Sequence, residues 1–191
     1  MILRLTGRSR LEAQMNQRRG FSDVPNAAIH GGNMLEKIEN SKAYKEFITE
    51  HPQAYLSHFF SAIDSNYVLK GDWEIGYYEP DADKVTVFVL NDEVTKKAED
   101  EVFKKQQDKV EKLEVDGSLS FEKAVKILKE KFNLVFPDEN VGDGFIILQK
   151  MNGKRLWNLT FISKALQFLN LKIDAVSGME VSHERIDLIS K

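Results

Sequence analysis

Four histidines, a scatter of carboxylates and not one cysteine set the range of chemistry open to this 191-residue chain. His51 and His58 stand seven apart on a stretch that reads as helix, which would separate them by about 10 Å along the axis. One metal ion cannot easily use both, and the four-residue spacing of His-Glu-x-x-His does not occur. His30 and His183 have no serine or carboxylate arrangement around them that reads as a triad. Glu79, Asp81 and Asp83 alternate like the start of a calcium loop. The glycine required at the sixth position and the glutamate at the twelfth are both missing, so turn chemistry is the better reading. Gly142-Asp143-Gly144 is too short for a phosphate cradle, and it leads into a strand where such a cradle needs a helix. With no thiol there can be no disulfide, thiolate metal site, iron–sulfur cluster or cysteine nucleophile. The expectation is a protein that is not an enzyme, with no catalytic residue, no metal site and no cofactor to assign.

Tyr77, Tyr78 and Phe88 could form a platform that stacks on bases or on a peptide, although core packing explains them equally well. The nucleic-acid version lacks a basic stripe, and the formal net charge of −3 with a pI near 5.9 provides no positive field. A peptide remains open, because the edge of an antiparallel sheet can accept an added strand. Charge is unevenly placed. Residues 1–33 hold Arg4, Arg8, Arg10, Arg18 and Arg19, five of the seven arginines. Set against Glu12 and Asp23 they give 5 − 2 = +3, leaving −6 for the rest. This segment is expected to be a disordered basic leader. Its functional readings are a basic tail for an acidic surface, or an arginine-rich transit peptide with Ile2, Leu3, Leu5, Leu11 and Met15 on its apolar side. No apolar run approaches the roughly 20 residues of a membrane span, and no apolar core of a secretory signal follows the N-terminus. A soluble, cytoplasmic protein is expected.

The elements that would position any site follow from periodicity. Leu35, Ile38, Phe47 and Ile48, after Asn33 as N-cap, predict a helix. Pro52 opens a second, carrying Tyr55, Leu56, Phe59, Phe60 and Ile63, so that helix covers residues 34 to 64. Trp73 to Tyr77 and Val85 to Leu90 alternate as a hairpin about Pro80-Asp81-Ala82-Asp83. The charge-dense residues 91–112, with Val94, Ala98, Val102 and Phe103 as sparse apolar points, read as a solvated helix or connector. Val110 to Val115 could be a short extended piece. Ser120 caps a helix bearing Phe121, Ala124, Val125, Leu128 and Phe132. A loop then leads to strand Phe145 to Lys150, a tight turn at Asn152-Gly153, the strand of Trp157, Leu159 and Phe161, and a third strand from Phe168 to Val176. Ser177-Gly178 turns into a final polar strand or tail.

Trp73-Glu-Ile75-Gly-Tyr77 and Trp157-Asn-Leu159-Thr-Phe161 share the pattern Trp-x-aliphatic-small-aromatic, each after a helix and each opening an antiparallel meander. The second copy, together with Ile173, Asp174, Ala175, Ser177 and Gly178, resembles the PepSY family, whose sequences end like Trp-x-Val-x-Phe followed by Val-Asp-Ala-x-Thr-Gly. Serine stands at 177 where threonine is usual. The resemblance spans about residues 118 to 182. Through the internal echo it extends to residues 34 to 90, which lack the Asp-Ala-x-Thr-Gly turn. It implies a helix packed on a small antiparallel sheet and a non-enzymatic module, as found in propeptides of thermolysin-like peptidases and in cell-envelope proteins. The expected fold class is α+β, with a leader at residues 1–33 and tandem cystatin-type helix-plus-meander units at 34–112 and 113–191. The expected function is a binding or regulatory module for a protein or peptide partner, with no nucleic acid and no transmembrane segment. The alternatives are a peptidase inhibitor or propeptide-like chaperone, and a small-ligand or lipid carrier with a cavity between helix and sheet.

Overall fold

Three helices lie against one face of a single antiparallel sheet in a computed structural model that describes residues 31–97, 100–101 and 109–188. The elements in chain order are α1 (Gly31–Asn40), α2 (Lys42–Glu50), β1 (Tyr55–Ile63), β2 (Trp73–Glu79), β3 (Lys84–Leu90), β4 (Val94–Lys96), β5 (Asp100–Glu101), α3 (Phe121–Val135), β6 (Val141–Met151), β7 (Lys154–Ser163), β8 (Gln167–Asp174) and β9 (Glu180–Asp187). This is a mixed α+β architecture, as expected. Among the described residues no helix is long and apolar enough to cross a membrane. Residues 1–30 of the expected leader, with His30, and Ala98, Val102 and Phe103 lie outside the described residues, while Gly31 to Asn33, expected to end the leader, open α1.

The strand order is β4-β3-β2-β1-β6-β7-β8-β9, with β5 also paired to β3. Each helix or helix pair is thus followed by a meander of neighbouring strands, and the two meanders join where β1 pairs with β6. Side-chain rows cross this seam in register. On the helix-covered face one row runs Phe88–Ile75–Phe59–Leu148–Trp157–Ile173. The next core row runs Ser61–Ile146–Leu159–Leu171, and Trp73, two residues before Ile75, stands at its end. On the opposite face Val89–Glu74–Phe60–Ile147–Asn158–Lys172–Ser182 spans seven strands.

Local chemistry accounts for most element boundaries. The Ser120 hydroxyl accepts from the Lys123 N–H at 3.5 Å, and Phe121, Ala124, Leu128 and Phe132 bury one stripe of α3. Likewise the Ser41 hydroxyl accepts from the Tyr44 N–H at 3.1 Å and starts α2, so the first helical stretch is broken in two at Ser41. Asn152 and Gly153, at φ 50° and 74°, make the two-residue turn between β6 and β7. One aromatic network fills the space beneath the helices. Phe132 meets Phe161 edge-on at 5.3 Å, Phe47 meets Phe88 at 5.4 Å, and Trp73 lies 5.4 Å from Phe121 and 6.4 Å from Trp157.

Four sequence expectations are corrected. Residues 55–63 form a strand, β1, where a helix was expected. Tyr55, Leu56, Phe59, Phe60 and Ile63 mimic a helical period because serine fills two buried positions, Ser57 at a bulge that brings Leu56 and Phe59 to one face, and Ser61 beyond it. Their hydroxyls donate to the carbonyls of Gly76, at 2.9 Å, and Gly71, at 3.1 Å. Asn33 lies inside α1 and does not cap it. The charged stretch after Leu90 continues the meander as β4 and β5, because the open side of β3 offers backbone partners that a weakly apolar helix cannot match. Gly142 and Gly144 belong to β6, at an irregularity in its pairing with β7.

The turn between β8 and β9 follows the chemistry read from the sequence. The Asp174 carboxylate accepts from the N–H groups of Val176, at 3.1 Å, and Ser177, at 2.8 Å, and from the Ser177 hydroxyl at 2.8 Å, while Gly178 sits at φ 73°. These bonds, the one from the Ser177 N–H foremost, hold the Asp174 carboxyl below the usual carboxylate range. A carboxyl depressed by folding adds stability that is complete above its unfolded pKa, near 4, and is lost as pH falls through the folded value. Asp174→Asn is therefore expected to flatten the loss of urea resistance as pH falls below about 4 without changing the fold, and an unchanged acid limb would contradict this. Asp174→Ala is expected to cost about 1–2 kcal/mol at pH 7.

Candidate functional site

The chemistry-bearing residues fall into three places. The first joins the end of α2 to β2. His51 caps α2, its N–H donating to the Phe47 carbonyl, and its ring stacks on Phe47 at 5.0 Å. Its Nδ1 meets the Glu79 carboxylate at 2.9 Å, and the Thr86 hydroxyl donates to the other carboxylate oxygen at 2.7 Å. Glu79 is almost fully buried, so this carboxylate keeps two partners as compensation for lost water. A cleft of ≈ 110 Å³ opens beside it, floored by Pro52, Gln53, Pro80 and Asp81. A carboxylate-oriented imidazole can move a proton, but the Thr86 hydroxyl beside it donates to Glu79 and not to the ring, so it is no nucleophile activated by His51. His58 lies on β1, away from His51, and Asp81 and Asp83 remain in the turn, where Asp83 accepts from the Tyr78 hydroxyl at 2.6 Å. Among the described residues no group of three or more histidines and carboxylates could hold a metal ion. Tyr77 and Phe88 are core residues, and Tyr78 is buried against Val85 and Val87 on the other face, so the aromatic platform is not exposed. A broader groove of ≈ 500 Å³ runs along the solvated side of α2 between Lys42, Lys45 and Glu46.

The second place is the helix-free face of β6, β7 and β8. Asn158, Thr160, Asn170, Lys172 and Gln149 are all buried there. The Asn170 amide donates to Asn158 Oδ1, to the Thr160 hydroxyl at 2.7 Å and to the Leu159 carbonyl at 3.3 Å, while Lys172 reaches Glu184 at 3.4 Å. In the sequence these residues read as the wet side of amphipathic strands. The signal that could have marked them is an amide or hydroxyl at alternate positions of two successive strands.

The third place is the far edge of the sheet. The 8-residue β9 pairs with β8 on one side, whereas the opposite margin carries only the three residues of β4 and two of β5. The Leu188 N–H donates to the Leu166 carbonyl at 3.0 Å, and the same register continues from Gln167–Asp187 to Lys172–Ser182. Antiparallel pairs alternate, so Ser182, Glu184 and Ile186 turn their backbone groups to β8, while His183, Arg185 and Asp187 turn theirs outward. Along this edge the Arg185 guanidinium binds Glu139 at 2.6 Å and lies over the Phe136 ring, and His183 Nδ1 meets Glu180 at 2.8 Å. Exposed apolar side chains gather here too: Val176, Met179, Val181, Ile186 and Leu188. His183 had no assigned role in the sequence, and the structure makes it one of three β9 residues whose backbone groups meet no strand among the described residues. Compared with protein-family models, with curated proteins and with solved structures, the chain matches none.

Proposed function

We propose that this protein is a non-catalytic binding module that takes an extended segment of a protein partner as an added strand on β9, and that it is built from two PepSY-like helix-plus-meander units. The observation that carries the binding reading is the asymmetry of the sheet margins. One is divided between two very short strands, and the other is a full-length strand whose His183, Arg185 and Asp187 backbone groups face away from β8. Main-chain hydrogen bonds supply affinity in such a contact, and side chains at alternate positions supply selectivity. The reading of two units is supported by the core rows. Exchanging the halves about the β1–β6 seam carries the row of Trp157 onto the row of Trp73, Leu159 onto Ile75 and Phe161 onto Tyr77.

A backbone substitution tests the edge directly. Arg185→Pro removes one outward N–H, which an edge strand tolerates, and Arg185→Ala loses the same side chain while keeping that N–H. On an array of extended heptapeptides, the wild-type chain and Arg185→Ala are expected to retain the same peptides, and Arg185→Pro to lose them with little change in melting temperature. Bound peptide should slow hydrogen exchange at residues 183, 185 and 187. Peptides held equally by Arg185→Pro, or protection appearing elsewhere, would overturn the proposal.

A further inference from the structure

Resting on that reading, we infer that the strand β9 accepts is basic at two positions three residues apart, one toward each face of the sheet, with aliphatic residues beside them. The residues from Glu180 to Asp187 carry Glu180, Glu184 and Asp187 against Arg185, which with neutral His183 gives −3 + 1 = −2. The positive member is already occupied, because Arg185 is bound to Glu139 at 2.6 Å and laid over Phe136. Lys172 reaches Glu184 from the inner side, at 3.4 Å, and its own side chain is 7% exposed, whereas Glu184 remains 48% exposed. An arriving strand therefore meets carboxylates. On the helix-free face it meets Glu184 and then Ile186, two residues along. On the other face it meets Asp187, whose carboxylate accepts from the Gln167 amide at 2.7 Å. Ile186, 38% exposed, with Val181 and Leu188 at 40% and 42%, provides apolar area for aliphatic side chains of the incoming strand.

Any two-fold antiparallel pairing of β9 with itself sets one residue opposite its own copy. Centring on Glu184 or Arg185 puts like charges together, whereas centring on Ile186 sets Arg185 against Asp187, so charge excludes some self-pairing registers and the oligomeric state decides the others.

Fluorescence anisotropy on the full chain tests this, using the labelled peptide Thr-Val-Lys-Val-Thr-Lys-Val and its twin with glutamate in place of each lysine. The basic peptide is expected to bind at least about tenfold more tightly, with Glu184→Lys removing most of that preference. Raising salt should narrow the gap. Arg185→Pro should abolish binding of both. Equal binding by the two peptides, each lost in Arg185→Pro, would overturn the basic-strand inference and leave strand addition standing. Basic-peptide binding that survives Arg185→Pro would overturn both. No binding of the basic peptide at millimolar concentration would overturn the inference. So would a dimer that the peptide dissociates, since the copy would then be the occupant, and so would tighter binding after Arg4, Arg8 and Arg10 are replaced by serine, since the chain's own basic segment would then hold the edge.

Discussion

Trp157→Ala is expected to lower the unfolding free energy by about 3–5 kcal/mol, enough to threaten folding at 37 °C. The indole is buried between Phe121 and Trp73, and its N–H donates to the Leu119 carbonyl at 3.1 Å, in the extended segment just ahead of α3. That segment is itself tied down, since the Leu119 N–H donates to the Ala175 carbonyl at 2.6 Å. Trp73 occupies the matching place in the other meander, yet its indole N–H is buried with no acceptor among the described residues. The Trp73 ring packs on Phe59, Phe121 and Trp157, whose rings offer its N–H no acceptor. The two tryptophans should therefore respond differently to phenylalanine. Trp157→Phe strands a carbonyl as well as removing volume, whereas Trp73→Phe removes an unpaired donor, so Trp157→Phe should cost at least about 1 kcal/mol more. Urea unfolding of both variants checks it, and equal costs would mean that the Leu119 bond adds nothing.

Gly144→Ala is expected to be nearly as damaging for a different reason. A methyl group at this position of β6 would sit inside van der Waals contact of the Thr160 carbonyl oxygen, 2.6 Å from the Phe161 ring and 3.0 Å from the Phe161 Cα. Two of those three atoms are backbone, so relief requires β6 and β7 to separate at a buried point, at about 3 kcal/mol or more. Gly76→Ala provides the contrast. Its methyl would strike the His58 ring, 2.6 Å from Nδ1, and a side chain can turn aside. A thermal melt showing Gly144→Ala no more harmful than Gly76→Ala would refute the argument.

The parts of this fold legible in the sequence are those written in short-range patterns. Ser120 and the apolar spacing behind it announced α3, Asn152-Gly153 announced its turn, and Asp174 with Gly178 announced theirs. The strand β1 was lost because two serines buried by side-chain-to-carbonyl bonds interrupt its alternation, which no local rule distinguishes from a helical face. The β1–β6 pairing joins residues almost ninety apart, as in Phe59–Leu148, and depends on the whole strand order. The candidate sites were hidden by the same distance. The His51–Glu79 pair closes across 28 residues, and β9 is a polar strand in any reading of its composition. What makes it a site is that nothing among the described strands lies beyond it.

Because the middle of the sheet is the joint between the halves, neither half is self-sufficient. A fragment carrying either half alone would bare a nine- or eleven-residue rim, β1 or β6, with Phe59 or Ile146 and Leu148 along it. Such long, greasy rims, charged only at Asp143 and Lys150 toward the two ends of β6, are what chains clump through. Fission of this gene into two separate products would therefore yield sticky pieces that are rescued only by finding each other.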